Sequence, residues 1–134
     1  MKNKSNLYFH HIGLKCADLQ KSLEFYRALG LTEIVRWGEG EGEIVMLELG
    51  DGGRIELFAN GGDEYSVNGK WVHFAIGTDD VDGMFEKAIQ AGATPLILPK
   101  TVPLSSKPEP MAIHIAFVKG PDGEELEFFT QVEE

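Results

Sequence analysis

Cysteine is almost absent: Cys16 is the single one in a chain of 134 residues. An internal disulfide is thereby excluded, and the composition suits a reducing cytoplasm. Basic residues are scarce as well, with 12 Lys and Arg against 22 Asp and Glu, for a net charge of −10. Such a balance argues against nucleic acid, whose phosphates need clustered Lys and Arg. An anionic small molecule would have to find a local basic pocket against the overall field. No apolar run approaches transmembrane length and no signal-peptide pattern opens the sequence, so membrane and secreted locations are not expected. What is present, 43% hydrophobic and 25% charged residues, describes a soluble globular protein large enough to form one domain (1–134) around its own core.

The chain repeats itself. Residues 11–30 align without a gap on residues 73–92 at an offset of 62, so that His11 meets His73, Asp18 meets Asp80, Glu24 meets Glu86 and Gly30 meets Gly92. Further on, Arg54-Ile-Glu-Leu-Phe-Ala aligns with Glu125-Leu-Glu-Phe-Phe-Thr at an offset of 71, bringing Glu56 onto Glu127. Two units follow, 8–59 and 72–132, joined by a Gly- and Asn-rich linker at 60–71. Each contributes one His near its start and one Glu near its end.

Within each unit an alternating stretch predicts a strand, then apolar residues at helical spacing predict a helix: Leu19, Leu23, Tyr26 and Leu29 first, Val81, Phe85, Ala88 and Ile89 second. Asp18 and Asp80 are placed to cap the helix starts, and Gly30 and Gly92 to end them in the left-handed conformation. Three short strands complete each unit, at about 32–37, 43–49 and 53–59, then about 94–98, 111–118 and 124–130. The fold class is α+β: βαβββ written twice, forming a curved mixed eight-stranded sheet around a cavity, helices outside. The nine extra residues of the second unit fall in the proline-rich stretch 99–110, which predicts a surface loop near the site.

Strand alternation places His11, Glu56, His73 and Glu127 on the faces their own helices do not cover. Taken singly, each reads best as a polar residue on a solvated sheet face. Four of them at repeat-equivalent positions on one kind of face point instead to a metal site on a pseudo-twofold axis. Two imidazoles and two carboxylates suit one divalent cation, Zn²⁺ or Ni²⁺ first, Mn²⁺ or Co²⁺ next.

At these residues the chain resembles the vicinal oxygen chelate superfamily of glyoxalase I, methylmalonyl-CoA epimerase, extradiol dioxygenases and bleomycin- and fosfomycin-resistance proteins. The resemblance spans roughly 8–130 and is carried by His10-His-Ile-Gly-Leu-Lys-Cys-Ala-Asp-Leu-Gln-Lys-Ser-Leu-Glu-Phe-Tyr, Arg54-Ile-Glu-Leu-Phe-Ala-Asn, Val72-His-Phe-Ala-Ile and Pro121-Asp-Gly-Glu-Glu-Leu-Glu-Phe. The His/Glu/His/Glu set is similar to that of bacterial glyoxalase I. It implies a metal-dependent lyase or isomerase converting a thiol hemithioacetal of a 2-oxoaldehyde through an enediolate, with Glu127 as catalytic base and Glu56 its repeat mate. The resemblance also implies a homodimer. Either His11 and Glu56 of one chain meet His73 and Glu127 of the other, or all four close within one chain. The alternatives in function are an epimerase of the methylmalonyl-CoA type and a non-catalytic small-molecule-binding resistance protein.

Asn60 stands where glyoxalase I has an Asn that contacts glutathione, and Lys15 where it has an Arg. Lys keeps the charge but not the bidentate fork. Phe58 and Phe129 are candidate walls of a dry pocket, with core packing as the competing role. His114 is a candidate cavity residue, though a structural histidine is the better reading, and Glu48 is assigned as a solvated strand carboxylate rather than a cavity residue. His10 reads as a packing or surface histidine on the helix side, and Cys16 as buried and inert. The Gly38-to-Gly42 run lacks the helix and Lys of a phosphate loop and reads as a turn.

Overall fold

Alternating apolar residues give each half of the chain strands with one greasy face, and a single amphipathic helix per half covers it. The computed structural model describes residues 9–61, 73–107 and 109–132. Most of the linker at 60–71 lies outside them. The first half comprises β1 (His11–Lys15), α1 (Leu19–Leu29), β2 (Thr32–Trp37), β3 (Ile44–Glu48) and β4 (Arg54–Phe58). The second comprises β5 (Phe74–Gly77), α2 (Val81–Gln90), β6 (Thr94–Leu104), β7 (Met111–Lys119) and β8 (Glu125–Val132). Asp18 and Asp80 cap the helices through backbone N–H groups of Lys21 and Gly83, at 3.1 and 3.0 Å. Gly30 and Gly92 take positive φ values of 113° and 106° just past the helix ends, as the spacing predicts.

The βαβββ doubling is as expected, and its sheet divides. The eight strands form two four-stranded sheets, ordered β1-β4-β3-β2 and β5-β8-β7-β6, rather than one continuous sheet. In each, the first strand runs parallel to the last and the other pairs are antiparallel. The division follows from where the core lies. Leu14, Leu23, Tyr26, Ile55 and Leu57 of the first half join Ile76, Val81, Phe85, Leu126 and Phe128 of the second in one buried cluster, and α1 packs on α2. The halves are therefore united through their helix sides. Their opposite faces, which carry the His and Glu residues, turn away from the shared core.

The expected loop over 99–110 is corrected in part: β6 continues through Pro99 and Pro103 to Leu104 and pairs with β7 as far as Leu104–Met111. Prolines are tolerated because β6 is an edge strand, where a missing N–H costs no ladder bond. Register shifts on either side of Ile97 mark the irregularity they introduce. The Gly38–Gly42 run is a turn containing a short 3₁₀ segment, Gly40–Gly42.

A buried polar cluster ties the halves together more specifically. The Tyr26 hydroxyl on α1 donates to Glu124 Oε2 at 2.5 Å, and the Asp122 N–H donates to Oε1 at 2.8 Å. Asp122 in turn accepts from the Ala17 N–H at 2.6 Å and the Ser22 hydroxyl at 3.0 Å. Glu124 and Tyr26 are both fully buried. Gly120 is required beneath them, because a Cβ there would sit 2.5 Å from Glu124 Oε2. Burial raises the Glu124 pKa above its ordinary value, against the Tyr26 hydrogen bond, which lowers it.

Two outcomes follow for stability. Tyr26→Phe, which leaves one buried carboxylate oxygen without its donor, is expected to cost about 1–3 kcal/mol in urea unfolding. A loss below the error of the measurement would show that the cluster does not hold the halves. Because the folded chain holds the Glu124 proton more firmly than the unfolded one, this group's stabilisation is full at low pH and declines as pH rises through its folded-state pKa. The stability of the native chain minus that of Glu124→Gln is thus predicted to fall as pH is raised from about 4 to neutrality. A gap independent of pH would contradict the account.

Candidate functional site

His11 opens β1 and points away from the core-facing Ile12 and Leu14. Glu56 sits on β4 between the buried Ile55 and Leu57, so the same alternation presents it on the same face. Their side chains meet diagonally, His11 Nε2 lying 3.3 Å from Glu56 Oε1. The second half repeats the arrangement: His73 Nε2 lies 3.0 Å from Glu127 Oε1, with Glu127 flanked by buried Leu126 and Phe128. The carboxylates are the sheltered members. Side-chain exposure is 14% for Glu56 and 10% for Glu127, against 41% and 34% for the imidazoles. Burial pushes the Glu127 pKa up, and His73 beside it acts in the opposite direction through its charge and hydrogen bond.

These pairs have the dimensions of half a metal site. Two donors about 2.1 Å from one cation and subtending about 90–110° stand roughly 3.0–3.4 Å apart. Both pairs meet that spacing, at 3.3 and 3.0 Å. Among the described residues no group of three or more His, Cys, Asp or Glu side chains is placed to hold a metal ion. The chain thus brings its four candidates together two by two, on two separate sheets. In the single chain the two pairs do not merge into one four-ligand group.

Two neighbours of these pairs escape the sequence reading. His10 was expected on the helix side, yet its Nδ1 lies 2.9 Å from Nδ1 of His11, one ring donating and the other accepting. Strict alternation does not govern His10, because β1 begins only at His11. This contact fixes the His11 ring and directs Nε2 at Glu56, the kind of support that metal-binding imidazoles use. The Phe117 ring on β7 stands edge-on to His73, 5.1 Å between centroids, and pairs in register with Glu127. Its sequence signal is the alternation of β7: Ile113, Ile115 and Phe117 share the face of Glu127.

The remaining candidates divide. Phe58 lies on the site face, its ring over Gly13, where a Cβ would come within 3.1 Å of it. Lys15 pairs in register with Phe58, and Phe129 with Gly77 and Ile115. Asn60 is exposed in the turn after β4. Glu48 shares the face of Arg54 and is half-buried. His114 does not enter the site face. It points to the helix side, with Nε2 2.9 Å from Asp82 Oδ1 on α2 and Nδ1 2.8 Å from Thr101 Oγ1. The cause is strand parity, which groups His114 with the core residues Ala116 and Val118. Cys16 is fully buried, its thiol pushed up to about 12, chiefly by burial, and is inert as expected. A cavity of about 640 Å³ lies between Leu29–Leu31, the Leu49–Gly53 turn, β5 and Met84, and none of the four candidate ligands lines it. No helix among the described residues is long and apolar enough to cross a membrane.

Known proteins share this plan. A probable lactoylglutathione lyase of Vibrio cholerae is 32% identical, the match covering 92% of this chain and 90% of the relative. Glyoxalase I from Zea mays superposes with a TM-score of 0.73 at 22% identity, over 93% of this chain and 45% of the maize protein. An antibiotic-binding protein from Streptomyces, TnmS3, superposes with a TM-score of 0.70 at 17% identity, over 97% of this chain and all of the other. These two show a common fold that serves an enzyme and a binding protein. The model of the glyoxalase/bleomycin resistance protein/dioxygenase superfamily matches residues 8–128, and with its doubled βαβββ unit the chain belongs to that superfamily.

Proposed function

We propose that the chain is a metal-dependent lyase or isomerase of the glyoxalase I type, acting on a thiol hemithioacetal of a 2-oxoaldehyde. In this reading one divalent cation, Zn²⁺ or Ni²⁺ foremost, is held by His11 and Glu56 of one chain and His73 and Glu127 of a second. The observation that carries the reading is the pair of His–Glu contacts at 3.3 and 3.0 Å on repeat-equivalent strands. Each supplies two donors with the spacing one cation requires, and neither is complete alone. The relative named a probable lactoylglutathione lyase supports it at the level of reaction class.

When bound, the cation would supply Lewis acidity to two adjacent oxygens of a substrate and so acidify the neighbouring C–H bond. The proton is moved by the chain. Glu127, the carboxylate beside His73 on the sheltered strand face, takes it and returns it to the adjacent carbon. His10 holds the His11 ring in place. Phe117 and Phe58, packed beside His73 and Gly13, keep water from the transferred proton. An epimerase would use the same base on a CoA thioester instead, and a pure binding protein would need neither the base nor the cation.

Protein purified without chelator is expected to contain one Zn²⁺- or Ni²⁺-class ion per chain and to sediment as a dimer at micromolar concentration. Metal-free protein that gains no thermal stability from added Zn²⁺ or Ni²⁺, or a monomeric mass, would refute the shared site. Glu127→Gln should keep most of the metal affinity, since an amide oxygen still coordinates, while turnover of the glutathione–methylglyoxal hemithioacetal falls about 10²–10⁴-fold. Glu56→Gln should lose less, because it removes the same charge from the cation without removing the base. Full activity in Glu127→Gln would overturn the assignment.

A further inference from the structure

The two halves of the doubled site match in their His and Glu but not in the charges beside them. Two residues before Glu56 stands Arg54, whose repeat mate, two residues before Glu127, is Glu125. Four residues after His11 stands Lys15, whose mate is Gly77. The pseudo-symmetric frame therefore needs no cation at either position, and only the first half carries them. Register sets Arg54 directly across from His11 on β1 and from Glu48 on β3, all on the site face. Adjacent strands lie about 4.8 Å apart, so the guanidinium starts one strand spacing from the proposed ligand.

Arg54 is half-buried. No ion pair or hydrogen bond links its side chain to any described residue, and Glu48, its cross-strand neighbour, is not in ion-pair contact with it. A charged group partly withdrawn from water gives up hydration that a partner must restore, and no described residue is that partner. The other Arg residues of the chain are not left so: Arg27 and Arg36 both pair with Glu33. A guanidinium presents its donors as a planar fork that matches a carboxylate. In a chain of net charge −10, this is the local attraction an anionic molecule would need.

We propose that Arg54 is a specificity-determining residue that anchors a carboxylate of the substrate. The substrate class is then an anionic chelator: two adjacent oxygens for the metal, and a carboxylate a few atoms away on the His11 side. The proposal rests on the metal-site reading above and narrows what that site takes.

The test compares two oxygen chelators on Zn²⁺-loaded dimeric protein by calorimetry, neutral acetohydroxamate and succinic acid monohydroxamate, which adds a carboxylate. The native protein is expected to bind the carboxylated probe about tenfold or more tightly, the range of one charge-assisted contact. Arg54→Met should abolish that preference while zinc content and acetohydroxamate binding stay within about twofold. Arg54→Lys, keeping the charge without the fork, should retain a fraction of it. Equal binding of both probes by the native protein, or an undiminished preference in Arg54→Met, would overturn the proposal. A dimer that dissociates in Arg54→Met with the preference intact would also overturn it, making Arg54 an interface residue. Absence of zinc, or failure of both probes to bind, would remove the metal-site reading and this proposal together. A carboxylate preference in a protein that turns over no hemithioacetal would refute the lyase assignment alone and leave the anchor standing.

Discussion

Burial on the helix side of both sheets governs the rest of this molecule. Ile55, Leu57, Leu126 and Phe128 point inward with Tyr26, Leu23, Phe85 and Ala88, and a strand that commits one face inward commits the other outward. Glu56 and Glu127, each set between two such residues, have no choice of side. The same core, with α1 packed against α2, joins the two halves through their helix sides. The cross-half cluster of Tyr26, Ser22, Asp122 and Glu124 adds direction to this packing, since hydrogen bonds tolerate less sliding than apolar contacts.

A sheltered carboxylate with one imidazole for a partner is an electrostatic arrangement that a cation would complete. Glu127 has the neighbouring imidazole as its partner, and desolvation still outweighs that partner in setting its pKa. A divalent cation would reverse the balance, turning a group that is costly to ionise into a ligand. The superfamily frame alone does not decide function; the side chains on its open faces do.

Much of this was legible in the sequence. The offset of 62 between His11 and His73, and of 71 between Glu56 and Glu127, located the doubled unit, the helix caps and the four candidates, because repeats and strand parity are local properties. Four features were not legible, each for a physical reason. The division into two sheets depends on how the halves pack, which no local pattern encodes. The extension of β6 through Pro99 and Pro103 depends on its edge position, which proline content alone does not reveal. His114 fell on the helix side, against Asp82, where a partner on another element holds it. His10, outside the regular strand, turned to His11 rather than following alternation.

The claim that two chains complete each site is tested most directly by mixing two double variants. One would carry His11→Ala with Glu56→Ala, the other His73→Ala with Glu127→Ala. Each alone should bind no stoichiometric Zn²⁺, since every site in its dimer lacks one pair. When the two are unfolded, mixed and refolded together, the mixed dimers should regain one zinc site per dimer, built from the intact pair of each chain. Recovery of zinc binding in the mixture is the predicted result. Zinc binding that never exceeds that of the separate variants, in mixtures shown by mass to contain the mixed dimer, would contradict the shared site.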